Sequence, residues 1–294
     1  QEILEIIRNT NRRPAQTGKP LYPEEIMAYP NLCEEMESIS RTVDGFSYRM
    51  DILRAKNRGE NCPLFINIHG GGFIGPHREN DTYFSAYMAD QIHGITVDLD
   101  YTLSDAAPYP VALHQCMDAL DYVAEHANTW GASAKDISVG GYSAGGALTA
   151  AMGICCAERG GFVPKLQILC YPPLEYRIPD QYKIDAYDRQ IGMERCKAFA
   201  DLYFDDKKEN FEDIHNSPLY APREILAKQP KTLILSAGLC NFRYEDEDYA
   251  ICLADAGAEV ILKRFPEASH GFIPHFMDGW KEAADLMVRE ILEK

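Results

Sequence analysis

Three short stretches, far apart in the chain, hold residue types and spacings able to do chemistry. In "GGYSAGG", Gly141-Tyr142-Ser143-Ala144-Gly145 makes a G-x-S-x-G directly after the apolar run "DISVG" and directly before the helical run "ALTAAMGICC". A serine on a sharp strand-to-helix turn projects its oxygen beyond the sheet edge, and glycines two residues either side remove side chains that would collide. The helix N-terminus behind it favours developing negative charge. Upstream, "NIHGGGF" sets Gly70, Gly71 and Gly72 after another apolar run. Consecutive glycines let the backbone approach a substrate and aim N–H groups at one oxygen, as an oxyanion hole requires. His69, just before them, suits bracing the loop. Downstream, "FPEASHGF" supplies His270 after the run "EVILKRF". A neutral imidazole can take the serine proton and later deliver it to a leaving alcohol. The other histidines lie in helical or polar contexts that suit surface or packing roles.

A glycine loop after one strand and a nucleophile turn after a later one, with the histidine last, is the chain order of an α/β-hydrolase. Taken together, "HGGGF", "VDLDYTLSDAAPYPVAL", "GYSAGG", "NSPLYAP" and "ASHGF" resemble the hormone-sensitive-lipase-like esterases of the α/β-hydrolase superfamily over nearly the whole chain. The resemblance implies Ser143 as nucleophile, His270 as base, and an oxyanion hole made by the amides of Gly71, Gly72 and Ala144. It implies ester hydrolysis through a serine acyl-enzyme, with no metal and no organic cofactor.

It also implies an acid at the end of a later strand, in a motif like Asp-Pro-Leu-Arg-Asp-Glu. Aligned on Arg243 and Glu245, this chain reads Cys240-Asn241-Phe242-Arg243-Tyr244-Glu245, so Cys240 replaces the expected Asp. A carboxylate there would hold the imidazole in the working tautomer and stabilise its protonated form. A neutral thiol does so weakly, and only a thiolate supplies charge. Glu175, in "CYPPLE", lies where some other α/β-hydrolases carry the acid and is a possible substitute. Asp246 or Glu245 could swing in from the following helix, or Asn241 could orient the ring through its amide oxygen. With no third member at all, a Ser–His dyad still retains part of the catalysis.

The elements that must position these residues are legible as alternating runs. "PLFINIHG", "GITVDLDY", "DISVGGYS", "KLQILCYP", "KTLILSAG" and "EVILKRF" are strand-like, with helical patterns between most of them, which predicts a mostly parallel sheet covered by helices on both faces. "ESISRTV" and "SYRMDIL" add an antiparallel pair, for eight strands in an α/β-hydrolase fold read as a single domain over 1–294. Two segments break the alternation: 1 to about 35, with "EILEII" as a short amphipathic helix, and about 174–228, with the helical pattern "MERCKAFADLYF". Ligands of such sheets bind beyond the carboxyl ends of the strands, so both segments are candidate parts of a small cap. Tyr176, Tyr182, Tyr187 and Tyr203 suggest a small aromatic-lined pocket for acetylated sugars or aryl esters, although tyrosines in such an insertion are more often packing residues.

Composition narrows the partners. In 294 residues, 45 acidic side chains against 29 basic ones give a net charge of -16, which repels phosphate backbones and anionic lipid surfaces. Neither nucleic acid nor membrane is expected as a partner; a small-molecule ester is, with a homo-oligomer left open. The nine cysteines form no C-x-x-C pair, and Cys155-Cys156 sit together in an apolar stretch, unlike a disulfide framework or a zinc site. With no signal-peptide pattern in "QEILEIIRNTNRRPAQTGKP", a cytoplasmic setting is expected. The expected function is a carboxylesterase, or acetylesterase, for short-chain esters, with an impaired or relocated triad acid. The alternative is a hydrolase-fold ligand-binding protein, as the resemblance implies for the family's plant hormone receptors.

Overall fold

The apolar runs form the centre of one sheet. The computed structural model describes residues 21–178, 193–205 and 207–293. Its strands are β1 (Glu37–Val43), β2 (Phe46–Arg54), β3 (Cys62–Ile68), β4 (Ile95–Asp100), β5 (Ala132–Tyr142), β6 (Leu166–Cys170), β7 (Lys231–Ala237) and β8 (Val260–Phe265). They lie in the order β1-β2-β4-β3-β5-β6-β7-β8. β1 pairs with β2, and β2 with β4, antiparallel; every other neighbour is parallel. Burial explains the patterning. All of β6 is buried, and it reads as an apolar run broken by one glutamine, whereas the edge strand β1 alternates exposed with half-buried residues.

The longer helices are α1 (Glu79–Gln91), α2 (Val111–His126), α3 (Ala144–Arg159), α4 (Met193–Phe204), α5 (Arg243–Ala256) and α6 (Trp280–Leu292). Because side chains alternate along a strand, β3 feeds two cores. Leu64, Ile66 and Ile68 join Leu113, Leu120 and Leu148 of α2 and α3. Phe65 joins Phe84 and Met88 of α1 and Met287 of α6 on the other face. This is the two-faced α/β-hydrolase arrangement expected from the sequence.

The N-terminal cap expectation falls partly on residues 1–20, including "EILEII", which lie outside the described residues, as do Tyr182 and Tyr187. Within the second expected segment, α4 lies over the loop that follows β3. The Phe199 ring occupies the space beside Gly72, 2.5 Å from where a Cβ would stand. Tyr203, one turn on, stacks on Phe73 at 3.7 Å between ring centroids and 5° between planes. Tyr203 is therefore a packing residue, while Tyr176 lines the cavity below. No helix among the described residues is long and apolar enough to cross a membrane.

Candidate active site

Ser143 stands between β5 and α3 with φ 53° and ψ -121°, a conformation that costs free energy for a non-glycine residue. Hydrogen bonds hold it there: its N–H donates to the Cys170 carbonyl at 2.9 Å, and its carbonyl accepts from Ala147 N–H at 3.0 Å. The flanking glycines are required by contact. A Cβ on Gly145 would sit 2.1 Å from the Ile68 carbonyl oxygen, and one on Gly141 would sit 2.5 Å from the carbonyl of Gly145.

The glycine loop after β3 lies against this turn. A Cβ on Gly70 would be 2.9 Å from the Tyr142 carbonyl oxygen and 3.3 Å from Ser143 Cβ. Gly71 and Gly72 take φ of 119° and 63°, values that L side chains rarely adopt. Among the described residues, no backbone carbonyl accepts from the N–H of Gly71, Gly72 or Ala144. His69 is fully buried, and its ring stacks on Tyr101 at 4.3 Å. Burial lowers its pKa to about 4, so the neutral ring braces the loop through Nδ1, 2.7 Å from the Gly70 carbonyl oxygen.

His270 joins the two. Its Nε2 is 2.9 Å from Ser143 Oγ, and its Nδ1 is 3.0 Å from Cys240 Sγ. Burial lowers its pKa to about 3, helped by the positive charges of Arg195 and His275. The rings of Tyr171 and Phe242 meet the imidazole edge-on at 5.0 and 5.6 Å. A neutral imidazole carries one N–H, and proton abstraction from Ser143 requires it on Nδ1, which makes Sγ the acceptor. Sulfur already has that role toward a second donor, since Phe242 N–H points at Sγ from 3.4 Å.

The other candidate acids are placed elsewhere. Glu175 turns Oε1 to the N–H groups of Arg177 and Ile178, the latter at 3.0 Å, at the start of the cap segment. Glu245 Oε2 accepts from the N–H groups of Leu174 and Glu175 at 2.7 and 2.9 Å. Asp246 is fully buried, and burial holds its carboxyl far above the usual range, which makes it a neutral acid rather than an anionic partner. Asn241 Oδ1 is buried and has no hydrogen-bond partner among the described residues. Among the described residues, the group that meets Nδ1 of His270 is thus a thiol.

Above the serine lies a cavity of about 620 Å³, bounded by the glycine loop, Tyr171, Tyr176, Phe199, Phe242 and His270, with Arg78 and Arg195 also on its walls. Sequence patterning identified α4 as helical but not which of its residues face the serine. Arg195 and Phe199 were therefore missed, as was Phe242.

A family model described as the alpha/beta hydrolase fold matches residues 65–274. The chain belongs to that family. Esterase LipI of Mycobacterium tuberculosis is 30% identical over 217 residues, covering 72% of this chain and 66% of LipI. Bovine hormone-sensitive lipase is 29% identical over 120 residues, covering 41% of this chain but 16% of the lipase, in accord with the hormone-sensitive-lipase-like motifs. Among solved structures, an esterase from the archaeon Pyrobaculum calidifontis superposes with a TM-score of 0.80 at 26% identity, covering 91% of this chain and 88% of that one.

Proposed function

We propose that this α/β-hydrolase is a carboxylic ester hydrolase that forms an acyl-enzyme on Ser143. The observation that carries this reading is the 2.9 Å contact between His270 Nε2 and Ser143 Oγ at a strained turn facing the glycine loop. His270 would take the hydroxyl proton as Ser143 attacks the ester carbonyl. The amides of Gly71, Gly72 and Ala144 would receive the oxyanion, and the imidazolium would then protonate the leaving alcohol. Water would repeat the sequence on the acyl-enzyme. The related LipI and the Pyrobaculum protein are both named as esterases, which supports the same reading.

Short acyl groups fit best, because Phe199 closes the space beside Gly72. We read the chain as one hydrolase domain with cap elements, acting in a reducing compartment such as the cytoplasm. Among the described residues, which include all nine cysteines, no disulfide is formed, and that supports this setting. A second reading, a ligand-binding protein with little turnover, is favoured by one feature: a thiol where the motif expects a carboxylate.

Labelling by a fluorophosphonate separates the two readings. The wild-type chain should label and hydrolyse p-nitrophenyl acetate, and Ser143→Ala should do neither. His270→Ala should lose nearly as much, and the double variant should be scarcely worse than either, since the two groups act as a unit. An unlabelled, inactive wild-type protein would favour the binding reading.

A further inference from the structure

We propose that the ester taken by this site carries a carboxylate, held between Arg78 and Arg195. This deepens the esterase reading and rests on it. The protein as a whole is strongly acidic, with a net charge of -16. Its candidate site is not: among the described residues lining the cavity, the charged side chains apart from histidine are Arg78, Arg195 and Asp81. Asp81 offsets only part of that charge. It is buried, burial raises its carboxyl to about 7, and its Oδ2 accepts from the backbone N–H of Arg78 at 2.9 Å.

Arg195 is carried on α4, half-buried, with its guanidinium 5.1 Å from the centre of the Phe199 ring. That ring in turn packs beside Gly72, so the guanidinium is tied to the element that covers the glycine loop. A planar guanidinium on an aromatic face is well arranged to take a carboxylate through paired hydrogen bonds. Arg78 lines the same cavity, and its charge disfavours the charge on Arg195, an effect smaller than burial and than the opposing influence of Cys196. An anion between them relieves that repulsion. Arg195 also bears on His270, because its positive charge is the largest charge effect lowering the basicity of the ring. A bound carboxylate therefore does two things: it fixes the ester, and it returns basicity to His270 while substrate is bound.

The carboxylate can sit on the alcohol or the acyl half of the ester, and paired substrates distinguish them. The alcohol arm compares 4-carboxyphenyl acetate with its methyl ester. The acyl arm compares mono-4-nitrophenyl succinate with 4-nitrophenyl butyrate, each rate corrected for uncatalysed hydrolysis. In one arm kcat/KM should favour the anion by about tenfold or more, and the preference should shrink with added salt. The anion-to-neutral ratio should fall toward one in Arg195→Gln and fall in part in Arg78→Gln. The apparent pKa governing kcat should be higher for the anionic ester than for its neutral partner. Hydrolysis of the neutral esters with a ratio at or below one in both arms overturns the proposal while leaving the esterase reading standing. If no ester is turned over, the esterase reading fails and calorimetry with 4-acetamidobenzoate decides the subsite. Salt-sensitive binding lost in Arg195→Gln supports it, and absence of binding overturns it.

Discussion

Cys240 Sγ lies 3.0 Å from Nδ1 of His270, and Ser143 Oγ lies 2.9 Å from Nε2 of the same ring. The thiol therefore stands where a carboxylate would orient the imidazole and stabilise its protonated form. Loss of that carboxylate in a serine protease costs on the order of 10⁴ in kcat. Cys240→Asp should accordingly raise kcat on a short ester, and recovery of a hundredth of that effect is roughly 10²-fold, or about 2.7 kcal/mol of barrier. Glu175→Gln keeps an acceptor for the amides of Arg177 and Ile178 and should leave kcat within about twofold. A crippled Glu175→Gln together with an unimproved Cys240→Asp would show that Glu175 serves the ring in the working enzyme.

The pH profile should carry the signature of the thiol. Burial keeps His270 neutral down to about pH 3, so its own protonation does not limit hydrolysis near neutrality. In the proposed mechanism, what limits it is where the single ring proton sits. A thiol that donates to Nδ1 leaves the proton of the ring on Nε2, facing Ser143, which is the unproductive tautomer. A thiolate fixes the proton on Nδ1. Base favours the thiolate, so wild-type kcat/KM should keep rising on the alkaline side of neutrality. Cys240→Asp, with its charge already present, should level off at lower pH. Superimposable profiles for the two proteins would remove the thiol from the mechanism.

Phe199 fills the space beside Gly72, where even a Cβ would collide with its ring. Truncating it should lengthen the acyl chain the site accepts. With 4-nitrophenyl esters, wild-type kcat/KM should peak between acetate and butyrate, and the Phe199→Ala maximum should move to longer chains. A wild-type maximum at dodecanoyl or beyond would contradict the short-acyl reading outright.

His77 and Asp98 make a buried pair, 2.7 Å between Nε2 and Oδ2, with Asn67 Nδ2 also on the carboxylate at 3.1 Å. Burial disfavours the imidazolium, yet the Asp98 charge overrides it and raises the pKa of His77 to about 9. The resulting stabilisation is complete below the unfolded value of ~6.5 and is lost as pH rises through about 9, an upper bound of roughly 3 kcal/mol. Urea unfolding of wild type and His77→Gln over this range should show a stability difference that is largest near pH 6 and shrinks toward pH 9. A constant difference would mean the pair is not charged.

The sequence by itself determined the features that local backbone physics records. Apolar runs bounded by turn residues marked six strands, because central parallel strands are buried on both faces and carry little else, and two alternating stretches marked the antiparallel pair β1 and β2. Glycines marked the two turns around the serine, because Gly141 and Gly145 face carbonyls at distances no Cβ tolerates. The motif also placed Cys240 at the acid position. Which group meets the ring was decided only by the tertiary structure. Glu175, Glu245 and Asp246 all follow strand ends, and all were eligible on chain order alone. Their directions depend on packing between segments about seventy residues apart, where the amides of Leu174 and Glu175 claim Glu245. The face of α4 was equally illegible. Its helical period is local, but Arg195 and Phe199 point toward the serine because Tyr203 stacks on Phe73, a contact across 130 residues of chain that no spacing within the helix encodes.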